Sequence, residues 1–191
     1  MPLLYVCFLE NDTEIMEHHW LNRVAANLAP KSTSGKPKIH VELFFPSNKE
    51  TAEDSDVISG KACSIYYNST MFFVQKNFSR KQWSFRTLNV TDSQYKKVKT
   101  FCQQHVGDQF NHLTYFTYPL KCNMATPYWT TRFGYKPRWF CSEIVTEALK
   151  AGNILDEKQI SSIHPQELFT MLESSSTPTC ARNYANLKIT F

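Results

Sequence analysis

Residues 135–153, YKPRWFCSEIVTEALKAGN, decide how this chain is read. Ile144, Val145, Ala148 and Leu149 recur at the spacing of one helical face, so a helix is predicted here. Ser142 and Glu143 suit its first turn, and Gly152-Asn153 suits its end. Cys141 falls where the aromatic lead-in Trp139-Phe140 gives way to that helix. A thiol at a helix start lies near unpaired backbone N–H groups and the positive end of the dipole, which favour a thiolate. Thiolate is the working nucleophile of cysteine chemistry. The plainer alternative is a small buried hydrophobe, the usual fate of a free cysteine.

The rest of the chain sets the frame for that helix. At 191 residues it fits a single domain, 1–191, with room for a sizeable core. Hydrophobic residues make up 42% and charged residues 20%, which argues against a disordered chain. The formal charge of +4 is mild, and the densest basic cluster, KKVK at 96–99, reads as the wet face of a helix. Nucleic acid is therefore not expected as a partner. The opening MPLLYVCFLENDTE has a short apolar run with acids directly after it, neither a signal peptide nor a membrane span. Six cysteines without a CxxC pair then suggest reduced thiols and a cytoplasmic location.

Taken in order, LLYVCFL at 3–9 reads as a strand, 14–28 as a helix and 30–37 as a loop. In KIHVELFF at 38–45, alternation puts Ile39, Val41, Leu43 and Phe45 on one face, with His40, Glu42 and Phe44 on the other. Residues 46–60 are polar and acidic and read as a long loop. Further β segments at 61–75 and 82–88 suggest an antiparallel meander. Thr91 or Asp92 caps a helix with Tyr95, Val98, Phe101 and Cys102 as its stripe. Cys102 and His105 have a CxxH spacing, but no second pair completes a zinc set, so no metal or cofactor is expected. Residues 108–134 are aromatic without period, as a groove lining would be. Pro165 opens a last helix, and NLKITF at the end reads as an edge strand.

A thiol at a helix start and an imidazole on a strand are the two halves of a thiol–imidazole dyad. Glu42 shares the face of His40 but lies two residues along, about 6.5 Å at strand rise, and reaches the ring only by folding back. Ser64, Asn68 and Gln75 on the next β segment are rival third groups.

Four segments in this order resemble the circularly permuted, YiiX-like branch of the NlpC-type papain-like superfamily. KIHVELFF resembles its histidine strand, and HVGDQFNHLTYF its G-x-x-(F/Y)-(N/D) segment. RWFCSEIVTEAL resembles its aromatic–Cys–Ser–Glu helix start, and HPQELFTML its P-x-(D/E)-L helix. The resemblance implies an α+β fold, with an antiparallel sheet of about five or six strands packed against helices. It implies Cys141 as nucleophile and His40 as base of a cysteine hydrolase of the peptidase or amidase type. Relatives often carry a His, Glu or Gln on the strand after the histidine strand, where this chain offers mainly hydroxyl and amide groups. Glu42 therefore stands as third catalytic group beside Ser64, Asn68 and Gln75, and Tyr115, Trp139 and Phe140 are read as substrate contacts. The acyl donor it implies is a peptide, a protein or a lipid. A thiol acyltransferase on lipids and a non-catalytic binding module on the same fold are the alternatives. No feature of the sequence marks an oligomeric state.

Overall fold

The computed structural model describes residues 2–10, 37–47, 56–112 and 133–175. The expected helix at 14–28, the loop at 30–36, most of the aromatic tract and the terminal strand lie outside the described residues.

The chain is α+β. A five-stranded sheet is formed by β1 (Leu3–Glu10), β2 (Lys38–Pro46), β3 (Val57–Ser64), β4 (Phe72–Ser79) and β5 (Trp83–Asn89). Its spatial order is β4-β3-β2-β1-β5, and every neighbouring pair is antiparallel. Among the described residues three helices follow, α1 (Asp92–Gln104), α2 (Cys141–Ala151) and α3 (Pro165–Ser175). A short parallel pair, β6 (Gln109–Phe110) with β7 (Arg138–Trp139), leads into α2.

Two boundaries differ from the sequence reading. The expected β segment 61–75 is two strands, because Asn68 takes a left-handed φ of 56° and turns the chain between them. The expected loop 46–60 gives up its last residues to β3, which begins at Val57. Thr91 caps α1 in a full capping box with Gln94, as its sequence suggests.

Connectivity forces the sheet to curl. β4 and β5 lie at opposite edges of the order, yet only residues 80–82 join them. Flat, five strands would set those edges about 19 Å apart. A three-residue link spans at most about 14 Å. The edges therefore bend toward each other, and Phe78 of β4 packs on Trp83 of β5 with ring centroids 4.8 Å apart.

The curl gives the sheet an inside and an outside. Inside, Tyr5, Cys7, Leu9, Phe44, Ile58, Ala62, Phe78 and Trp83 form one apolar cluster. Outside, Leu4, Val6, Phe8, Val41, Leu43 and Phe45 pack against the apolar faces of α1, α2 and α3. Alternation along β2 supplies both layers, so this central strand is buried on both faces.

Candidate functional site

His40 and Glu42 belong to the inner row of β2, since they pair with Leu9 and Cys7 of β1. Cys141 belongs to α2, on the outer side. They meet at a break in the sheet. The β2–β3 ladder runs only from Pro46↔Gly60 to Leu43↔Cys63. Past it, Ser64 Oγ donates to the Val41 carbonyl at 2.7 Å, and the Lys38 N–H donates to Gln166 of α3 at 3.0 Å. Side chains have replaced the ladder there, and the start of α2 reaches the imidazole beside that break.

Several contacts fix the position of Cys141. Phe140 is the N-cap in extended conformation and has no side-chain acceptor, so Glu143 takes its N–H at 3.1 Å. Ser162 donates to the other Glu143 oxygen at 3.1 Å, and Ser142 donates to the Ile163 carbonyl. From the other side, the Asn111 N–H donates to the Trp139 carbonyl at 2.8 Å. The Trp139 indole donates to Asp108 at 2.9 Å, and the same Asp108 oxygen meets His105 Nδ1 at 2.7 Å. Cys141 is 4% exposed.

The Cys141 thiol lies beside the His40 ring, close enough to raise the pKa of that ring. Glu42 does fold back, and its Oε1 lies 3.2 Å from His40 Nε2. Burial pushes the imidazole toward neutrality. The contacts and charges of Cys141 and Glu42 outweigh it, and the His40 pKa stands at about 9. The ring is held as an imidazolium at neutral pH. Glu42 is 0% exposed, and burial alone would raise its pKa. The neighbouring His40 and Lys76 charges prevail and hold it below the usual carboxylate range.

Two members of this group were absent from the sequence reading. Tyr66 Oη donates to Glu42 Oε1 at 2.8 Å, and its ring stacks on His40 with centroids 4.9 Å apart. Lys76 Nζ donates to Glu42 Oε1 at 2.6 Å. The signal for Lys76 lies in FFVQKNFS, where a lone lysine shares its row with Phe72, Val74 and Phe78.

The remaining candidates are placed as follows. Ser64 is buried and committed to Val41, while Asn68 and Gln75 are exposed. Trp139 is half-buried and tied to Asp108, and Phe140 is buried against Phe110 at 6.1 Å between centroids. Tyr115 lies outside the described residues. Cys102 is wholly buried in the outer core and His105 is turned to Asp108. Among the described residues, no group of three or more His, Cys, Asp or Glu side chains is placed to hold a metal ion. The four described cysteines, Cys7, Cys63, Cys102 and Cys141, are free thiols. No helix among the described residues is long and apolar enough to cross a membrane. Comparison with protein-family models, curated proteins and solved structures finds no match to this chain.

Proposed function

We propose that the protein is a cysteine hydrolase of amide or ester bonds, with Cys141 as nucleophile, His40 as base and acid, and Glu42 orienting the ring. One observation carries the reading. A thiol at a helix start lies beside an imidazole whose Nε2 is engaged by a buried carboxylate.

The chemistry follows from that arrangement. The Cys141 sulfur attacks the substrate carbonyl carbon, a C–S bond forms, and the carbonyl electron pair moves onto oxygen. N–H groups of the first turn of α2 have no partner within the helix and suit that oxyanion. Collapse breaks the bond to the amine or alcohol, which leaves with the His40 proton. Water, deprotonated by the now neutral His40, then cleaves the thioester. An acyl group from a peptide, a protein or a lipid fits this sequence of steps.

Iodoacetamide labelling followed across pH, resolved by mass spectrometry at the Cys141 peptide, tests the reading. Wild type should react at Cys141 with an inflection that His40→Ala abolishes, and an activity-based thiol probe should lose its target in Cys141→Ala. A curve unchanged by His40→Ala, or probe labelling that persists in Cys141→Ala, would refute it.

A further inference from the structure

Lys76 and Tyr66 converge on the part of the site furthest from the thiol. Glu42 Oε1 accepts from Tyr66 Oη at 2.8 Å and Lys76 Nζ at 2.6 Å while it meets His40 Nε2 at 3.2 Å. Lys76 Nζ also donates to Tyr66 Oη at 2.6 Å. Glu42 Oε2 has no hydrogen-bond partner among the described residues, so one oxygen carries the whole network.

A fully buried carboxylate is costly unless a cation compensates it. His40 and Lys76 both compensate it, and the surroundings of Lys76 hold it in place. Its side chain is 26% exposed, and Nζ lies 5.1–5.8 Å from the ring centroids of Tyr66, Phe72, Phe78 and Trp83. These rings favour a cation at that point. Lys76 belongs to β4 and Glu42 to β2, so the ammonium reaches its partner within the curl of the sheet.

We propose that Lys76, assisted by Tyr66, is a positioning residue of the Cys141–His40 site: it keeps Glu42 ionised inside the curled sheet and its Oε1 on His40 Nε2. The inference rests on the function proposed above. The hydrogen bonds of Lys76 go to Glu42 and Tyr66, not to the thiol or the imidazole, and it acts through Glu42. The other groups facing this pair are Cys141 and Trp83 beside His40, and Cys7 of β1 opposite Glu42, with Arg80 contributing positive charge near Cys7.

The sign of the effect follows from the link through Glu42. Without Lys76, Glu42 holds its proton more tightly and its charge and contact on His40 weaken, so His40 should lose its proton at lower pH. In Lys76→Met the His40-dependent inflection of Cys141 alkylation should move down by about one pH unit. Lys76→Arg should restore it. Tyr66→Phe keeps the ring and loses one donor, and it should move the inflection in the same direction by less. Tyr66→Phe also keeps the test decisive if Lys76→Met fails to fold. Slower labelling with inflections unmoved in the folded variants would reduce Lys76 to a structural ion-pair partner and overturn the inference, leaving the proposed function intact. Absence of any His40-dependent inflection in wild type would overturn both.

Discussion

Glu143→Gln is the perturbation with the sharpest thermodynamic signature. Glu143 is buried at the third position of α2, where it receives the Phe140 N–H and the Ser162 hydroxyl. Burial pushes its pKa from the ordinary 4.5 up to about 7, against the pull of those two hydrogen bonds. The native state thus binds a proton between those values that the unfolded chain has released. Stability from this group is greatest below pH 4.5 and declines as pH rises toward 7. The gap corresponds to about 3 kcal/mol at most, at about 1.4 kcal/mol per pH unit. Glutamine retains the acceptor for Phe140 and does not titrate. Urea unfolding of wild type and variant from pH 4 to pH 8 isolates the effect, because His40 and His164 titrate in both proteins and cancel in the difference. The variant should gain about 2–3 kcal/mol on wild type across that range. A difference that stays flat with pH would refute the assignment of a buried, proton-holding cap.

Two further outcomes concern the frame around Cys141. Gly152 ends α2 at an ordinary φ of −80°, so its glycine answers to space and not to backbone angle. A Cβ there would stand 2.4 Å from Val98 Cγ2 of α1, and Gly152→Ala should cost about 1–3 kcal/mol despite better helix propensity. Adding Val98→Ala should recover at least about 1 kcal/mol of the Gly152→Ala penalty in a double-mutant cycle, and additive losses would contradict the steric account. Trp139→Phe keeps an aromatic ring, smaller than the indole, and removes the donor to Asp108, 2.9 Å away. It should lose about 1.5–3 kcal/mol in the same unfolding assay, and a loss below about 0.5 kcal/mol would show the bond to be dispensable.

Local pattern made most of these parts legible. Alternation in KIHVELFF assigns both faces of β2 correctly, and the stripe at Ile144, Val145, Ala148 and Leu149 assigns the buried side of α2. Caps at Thr91 and the stop at Gly152 were equally local. What local pattern misses is anything decided by closure of the sheet. Periodicity places Lys76 on a row with phenylalanines but is silent on what that row faces. The same blindness separates Glu42 from its partners. Its two-residue offset from His40 argues against contact in an extended strand, yet the carboxylate folds back because Lys76 and Tyr66 draw it into the curl.

The topology also explains why the site stands where it does. A strand buried on both faces normally excludes ionisable side chains, because each would need a partner in a layer already filled with hydrocarbon. β2 carries three, Lys38, His40 and Glu42. Glu10 pairs with Lys38, and the curl meets the cost of the other two with Lys76, drawn from a strand two places away in the sheet. The thiol has the opposite requirement, since helix α2 lies outside the curl. Contact between them needs an opening, and β2 and β3 provide it by ending their ladder at Leu43↔Cys63. Extending that ladder by four pairs would carry backbone pairing past the level of His40, in place of the Ser64 contact to β2. The break in pairing is therefore as much a part of the candidate site as the three side chains it brings together.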